Sequence, residues 1–168
     1  MLPTLIEQYR RWFDFEKDAH RQVLASLDTV PQANRGPAYE HALDLMGHLV
    51  AARRMWLHRI EPSHERPAAI FPTDVTRADL HAAFESMERD WDDYLGRLTD
   101  NELERVLVYQ TSEGDWYSQP IVDTLTQLYG HSHYHRGQIA SLLRVCGGEP
   151  AKSDFIFWVR KKVDAPQS

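Results

Sequence analysis

The sequence contains a single cysteine, Cys146, so no disulfide bond can form within the chain. A lone cysteine is consistent with a reducing compartment. No apolar run approaches the roughly 18 residues of a membrane-spanning helix, and residues 1–4 lack the basic stretch before an apolar one that marks a secretory signal. These absences predict a cytoplasmic protein without a membrane segment.

Clustered positive charge is also missing from the chain. Its 19 Lys and Arg residues stand against 25 Asp and Glu residues, which gives a formal net charge of -6 at pH 7. The basic runs Arg53-Arg54 and 160–162 are short and are expected on solvated faces. Because binding to phosphates needs clustered Lys and Arg, the composition argues against a nucleic acid partner and leaves a small-molecule substrate as the expectation.

Apolar residues recur at helical spacing in four long segments. The first segment opens with a Thr-x-x-Glu sequence at Thr4 and Glu7, which is typical of a helix capping box. The remaining helix boundaries are predicted from breakers and caps at Pro31–Pro37, near Pro62, at Thr76, around Pro120 and at Gly147-Gly148.

Between residues 99 and 118 the apolar spacing changes, which predicts a short β-hairpin with Val106–Tyr109 and Trp116-Tyr117 as its strands. Two brief strands are marginal alone, so they must pack on the helices. With 168 residues and 42% hydrophobic content, the chain is expected to form one domain, residues 1–168. The predicted fold is all-α, a four-helix bundle with the hairpin between its third and fourth helices.

The fourth predicted helix carries two imidazoles four residues apart, at His131 and His135, so both project from one helical face. His133 lies about 200° around the helix from His131 and should point away. A zinc protease helix reads His-Glu-x-x-His, but Ser132 occupies the glutamate position here. The helix therefore offers a pair of metal ligands without a general base of its own.

Of the nine histidines, only His48, His131 and His135 fall on stripes that ought otherwise to be apolar. A buried imidazole without a partner costs a few kcal/mol, so each must be hydrogen-bonded or bound to an ion. Spacing alone leaves two interpretations open, a three-histidine metal site between facing helices or three core histidines with ordinary hydrogen bonds. Four further histidines fall on stretches rich in charge and are expected to be solvated: His20, His58, His64 and His81. For His41 and Asp44, a bundle surface or helix entry is favoured over support of His48.

Three imidazoles suit a transition metal rather than magnesium or calcium. No fourth protein ligand is evident, and an open coordination position is typical of a reactive site. Cys146 lies about 16 Å along the helix axis from His135, so any nucleophile should come from solution. Gly137, in mid-helix, is expected to allow close helix packing. No general base or other catalytic residue is assigned.

A wider set of motifs surrounds the histidines: His48 with Trp56 eight residues later, His131-x-x-x-His135-Arg136-Gly137-Gln138-Ile139, Leu142-Leu143-Arg144 and the aromatic segment Asp154–Trp158. Together these motifs resemble the DinB/YfiT-like family, and the resemblance covers nearly the whole chain. It implies a four-helix bundle, a divalent metal that is often nickel or zinc, and frequent dimers. The metal triad of the family corresponds to His48, His131 and His135.

The resemblance also suggests a class of reaction. Characterised relatives include transferases that join a low-molecular-weight thiol, such as bacillithiol, mycothiol or glutathione, to an electrophile. A metal-dependent thiol S-transferase, with the thiol as co-substrate, is therefore the first hypothesis. Two alternatives stay open, a hydrolase that uses metal-bound water and a stress-response bundle that binds a metal or ligand without turnover.

Overall fold

The computed structural model describes residues 2–164 of the chain. Its elements are α1 (Leu5–Asp28), a short 3-10 turn (Gln32–Asn34), α2 (Pro37–Ile60), α3 (Arg77–Gly96), α4 (Asp100–Glu104), β1 (Val106–Gln110), β2 (Trp116–Pro120), α5 (Ile121–Val145) and α6 (Phe155–Val159). The predicted fold class is thereby confirmed: long helices with one small hairpin between the third and the fourth of them. No helix within the described residues is both long and apolar enough to cross a membrane.

The four long helices form a bundle in which each contacts two neighbours. Helix α1 packs against α3 and α5, and α2 packs against the same two helices. Helices α1 and α2 are therefore diagonal partners across the core. The most extensive contact is between α2 and α5, the two helices that carry the candidate metal ligands.

Helix ends follow the caps that the sequence predicts. The side chain of Thr4 accepts a hydrogen bond from the backbone N–H of Glu7 at 3.2 Å, and Thr4 N–H donates to the Glu7 carboxylate at 2.7 Å. Thr76 caps α3 by accepting from Asp79 N–H at 3.3 Å. Beyond α5, Gly147 has a φ of +73°, the left-handed conformation that ends many helices.

The hairpin pairs Val106 with Pro120 and Gln110 with Trp116 in antiparallel register, so β2 is longer than predicted. Leu107 anchors it in the core, at 3% exposure. The short helices α4 and α6 were not predicted, because five residues are too few to show a helical period.

A cluster of buried charged and polar side chains occupies the bundle core. Arg53 donates a hydrogen bond to Glu16 across the diagonal between α2 and α1, and His20 lies near them with 1% of its surface exposed. Arg136 is also buried, with its guanidinium carbon 5.3 Å from the centre of the Phe15 ring. The predictions that Arg53 and His20 are solvated are therefore wrong, because packing on neighbouring helices covers both and Glu16 supplies the charge partner of Arg53.

Gly137 lies on the exposed face of α5 and does not mediate helix packing. A Cβ atom built there would meet no other atom within 4 Å. The prediction of close packing at Gly137 is therefore wrong. Close approaches occur at two other glycines: a Cβ would lie 2.8 Å from a methyl group of Val75 at Gly47, and 2.7 Å from a methyl group of Val30 at Gly148.

Candidate metal centre

Three histidines converge where α2 faces α5. His48 projects from α2, and His131 and His135 project from successive turns of α5. The Nε2 atom of His131 is 3.2 Å from Nε2 of His48 and 3.0 Å from Nε2 of His135. Each residue offers one ligand atom, and the three atoms lie within 4.8 Å of one another. The structure thus brings together the three residues that the sequence selected.

Hydrogen bonds on the far side of two of the rings fix their tautomers. Nδ1–H of His48 donates to the backbone carbonyl of Ile70 at 2.6 Å. Nδ1–H of His135 donates to the side-chain oxygen of Gln138 at 2.7 Å. A neutral imidazole carries only one N–H, so the Nε2 atoms of both rings present lone pairs to the centre. Such outer hydrogen bonds typically orient histidine ligands around a metal ion.

This donor set fits a cation. With the protons of His48 and His135 used at Nδ1, His131 can donate an Nε2–H to at most one of them. At least one nitrogen lone pair is then left facing another ring nitrogen unless a positive ion lies among the three. Imidazole nitrogens are common ligands of zinc, nickel and other transition metals, so three converging Nε2 atoms are a chemically suitable site for such an ion.

Burial also favours the neutral form of the two candidate ligands on α5. Burial, together with the neighbouring rings of His135 and His48, lowers the pKa of His131 to about 4. Burial likewise lowers the pKa of His135, against the opposing effect of its hydrogen bond to Gln138. Neutral rings at pH 7 leave lone pairs available, as metal binding requires.

The histidines lie in a cleft of about 720 Å³. One wall is the face of α2 that carries Met55 and Trp56, and another is the loop between α2 and α3. The turn of the hairpin, at residues 111–113, forms the third. In the loop, Phe71 stacks on His48 with ring centres 4.4 Å apart and planes 6° apart. A small molecule that enters this cleft therefore reaches the three Nε2 atoms.

A family model for the DinB family matches residues 1–163 of the chain. The protein belongs to the DinB family. No curated protein and no solved structure matches the sequence. Membership agrees with the helical bundle and hairpin, and it suggests that this DinB protein binds a metal, which the three neighbouring histidines are placed to do.

Several other predicted positions in this DinB protein lie away from the centre. His133 points away from the cluster, as expected, and stacks on Phe15 with ring centres 5.5 Å apart. Asp44 accepts a hydrogen bond from Val75 N–H at 3.1 Å and so holds the loop between α2 and α3. The hydrogen-bond partners of His48 are Ile70 and His131 instead. Cys146 is buried and does not line the cleft.

The remaining histidines play no part in the centre. His41 and His81 are exposed, as expected for solvated residues. His58 and His64 are only half-buried, and Nδ1–H of His58 donates to the backbone carbonyl of His64 at 2.8 Å. These two histidines are more buried than their charged sequence surroundings predict, because the loop after α2 folds back on the end of that helix.

Sequence reasoning missed the buried charges of this DinB protein, although a signal was present. Glu16 and His20 fall at core spacing on α1, in the series Tyr9, Phe13, Glu16, His20, Val23 and Leu27. Polar residues on a core-facing stripe indicate either a buried hydrogen-bonding network or a functional site. Here Glu16 pairs with Arg53, whose carbonyl accepts the indole N–H of Trp91 at 3.2 Å, and His20 contacts Glu88 at 3.4 Å.

Proposed function

We propose that this DinB protein holds a divalent transition metal, nickel or zinc, through His48, His131 and His135, and transfers a low-molecular-weight thiol to an electrophile. The observation that carries the proposal is the convergence of three Nε2 atoms, two of them on rings whose outer Nδ1–H groups already donate hydrogen bonds. Homologous thiol chemistry, implied by the family motifs, supplies the reaction type.

Each histidine has a defined part in this function. His48 and His135 are held in place by the Ile70 carbonyl and by Gln138, so their Nε2 lone pairs stay directed at one point. His131 lies between them and completes the set. The described residues offer no cysteine or carboxylate to this cluster, and the cleft on its open side admits a co-substrate.

When bound at this site, a divalent ion would lower the pKa of a coordinating thiol and so favour its thiolate at neutral pH. In the transfer, the sulfur forms a bond to the electrophilic carbon while the bond from that carbon to its leaving group breaks. The leaving group departs with the bonding electron pair, and the thiol proton passes to solvent. The apolar wall at Met55 and Trp56 shields the reacting atoms from water.

The metal site is tested first by metal content. Full-length untagged protein, purified without chelator, is analysed by mass spectrometry beside a His131→Ala/His135→Ala variant and a His81→Ala control. We expect near-stoichiometric nickel or zinc in the native protein and the control, and loss of metal in a double variant that keeps its helical circular dichroism. No metal in the native protein, even after loading with zinc or nickel, would overturn the proposal.

Turnover is tested with thiols and a model electrophile such as monobromobimane. Metal-dependent conjugation that disappears in His135→Ala supports the transferase. Hydrolysis of ester or amide substrates without added thiol would instead indicate the hydrolase alternative. Metal binding without either activity would indicate a non-catalytic binding bundle.

We also propose a cytoplasmic homodimer with a small-molecule substrate and no nucleic acid partner. Exposed apolar side chains near the end of the chain support self-association: Val145, Ile156, Phe157 and Trp158. Light scattering coupled to size exclusion gives the mass directly. A monomer at micromolar concentration would contradict the dimer.

A further inference from the structure

Two arginines line the same cleft as the three histidines. Arg59 lies in the last turn of α2, and Arg66 follows in the loop. Within residues 2–164, neither guanidinium has a carboxylate oxygen within the 4.0 Å of a salt bridge. By contrast, Arg97 and Arg105 nearby are paired with Glu61 and Glu102. The two cleft arginines therefore present unpaired positive charge to whatever enters.

Aromatic rings hold Arg59 in place. Its guanidinium carbon lies 4.7 Å from the centre of the Trp56 ring and 4.5 Å from the centre of the Tyr109 ring. Burial lowers the pKa of Arg59, and the charge of Arg66 acts in the same direction. An arginine nonetheless stays charged at neutral pH. Arg66 is exposed, so a partly desolvated cation lies beside a solvated one that repels it. Such unpaired like charges in a cleft are typical of a site that binds an anion.

The other charged groups of the cleft do not neutralise this pair. Glu113, on the hairpin turn, lines the cleft and accepts a hydrogen bond from the Ser112 hydroxyl at 2.9 Å. It makes no salt bridge to either arginine. The formal charge of the whole chain is -6, so attraction for an anion here is a local property of the cleft.

We propose that Arg59 and Arg66 form an oxyanion subsite that binds a carboxylate or phosphate group of the substrate or of the thiol. The apolar part of that molecule lies against Trp56 and Met55, and its reactive end reaches the histidines. Guanidinium groups bind either oxyanion in a fork of two hydrogen bonds. The orientation of the reactive end rests on the proposed function, whereas the anion subsite itself does not.

Binding of small anions tests the subsite without turnover. Succinate and inorganic phosphate are titrated separately into the full-length protein at low ionic strength, and arginine Nε–H signals are followed by NMR. We expect saturable shifts for at least one anion, with dissociation constants about tenfold weaker in Arg59→Gln and in Arg66→Gln, as for the loss of one charge-assisted hydrogen bond. Preference for succinate over phosphate, or the reverse, identifies the oxyanion.

An Arg89→Gln variant is the charge-matched control, because Arg89 is exposed on α3 and does not line the cleft. It should bind both anions as the native protein does. Equal weakening in the control, or no saturable shift with either anion, would overturn the proposal.

The His131→Ala/His135→Ala variant separates this inference from the proposed function. If the arginines bind the anion, that variant keeps saturable binding even though it holds no metal. If the native protein binds the anion but shows no metal-dependent turnover, the proposed function alone is removed. Anion binding that disappears together with the histidines would show that a metal, and not the arginine pair, attracts the anion, and would overturn the subsite alone.

Discussion

Arg53 on α2 donates a hydrogen bond to Glu16 on α1, across the diagonal of the bundle, and both side chains are almost completely buried. Arg136 on α5 lies in the same core and makes no hydrogen bond through its guanidinium nitrogens within the described residues. Glu16 is therefore the main negative charge available to two buried cations, and burial lowers the pKa of each.

Removing Glu16 should be more destabilising than removing Arg53. We expect Glu16→Gln to lower the free energy of unfolding by about 3–5 kcal/mol, because it leaves both Arg53 and Arg136 without a negative partner. Arg53→Met should cost less, since Glu16 still faces Arg136. Urea unfolding followed by circular dichroism measures both values. An equal or smaller loss in Glu16→Gln would show that the two arginines do not share this carboxylate.

His20 and Glu88 form a second pair whose pH dependence can be predicted. Burial lowers the pKa of His20 to about 3 and raises the pKa of Glu88 to about 7. Between pH 4.5 and 6.5, His20 is protonated in the unfolded chain and neutral in the folded protein, whereas Glu88 is ionised in the unfolded chain and protonated in the folded protein. The two contributions have opposite sign, so the pair itself should make stability nearly independent of pH in this range.

In a Glu88→Gln variant, the pH dependence of stability that His20 causes should no longer be offset by Glu88. Below the unfolded pKa of His20, 6.5, the unfolded state gains a proton that the folded state lacks, so stability should fall by about 1.4 kcal/mol per pH unit relative to the native protein. Urea unfolding at pH 7 and pH 5 gives the difference. A Glu88→Gln/His20→Gln variant should remove this added pH dependence. Parallel pH profiles for the native protein and Glu88→Gln would contradict the assignment.

Gln138 should control metal affinity through His135. Gln138→Leu removes the acceptor of the His135 Nδ1–H, and we expect metal affinity to fall about 10- to 100-fold. Gln138→Glu keeps an oxygen acceptor and should keep or increase the affinity. Competition with a chromophoric chelator measures both constants. Unchanged affinity in Gln138→Leu, with an intact fold, would mean that this hydrogen bond does not orient the ring.

Gly137 offers a stabilising substitution beside the centre. Because a Cβ there meets no atom within 4 Å, Gly137→Ala should raise the free energy of unfolding by about 0.5–1 kcal/mol through helix propensity. Metal content should not change. Gly148→Ala is the contrasting variant, since its Cβ would lie 2.7 Å from Val30, and it should be destabilising. Thermal unfolding measures the stability of both variants. A lower stability of Gly137→Ala would contradict the conclusion that a Cβ fits at this position.

The sequence was most informative where periodic patterns exist. His48, His131 and His135 could be selected because each interrupts an apolar stripe on a long helix, and helical geometry places the last two on one face. The capping box at Thr4 follows from local spacing in the same way. These features depend on residues within a few positions of one another, so one chain suffices to predict them.

The rest of the site depends on contacts between distant segments. The cleft is closed by the loop after α2 and by the hairpin turn, neither of which has a period that sets its path. The hydrogen bond from His48 to Ile70 joins residues 22 positions apart through a backbone carbonyl, a group that every residue carries. Likewise, the partnership of Glu16 with Arg53 becomes apparent only once α1 and α2 are known to be diagonal.

The same bond between His48 and the Ile70 carbonyl gives the loop after α2 a further property. Nε2 of His48 faces the candidate metal position, and Nδ1–H of the same ring holds the loop backbone. Metal binding and loop ordering therefore depend on one side chain. By thermodynamic reciprocity, we expect an ion that orders this imidazole to order residues 61–76 as well, and a fixed loop to favour binding of the ion. Proteolytic cleavage of this loop should therefore become slower when an ion occupies the site, and its rate reports occupancy without a label or a substrate.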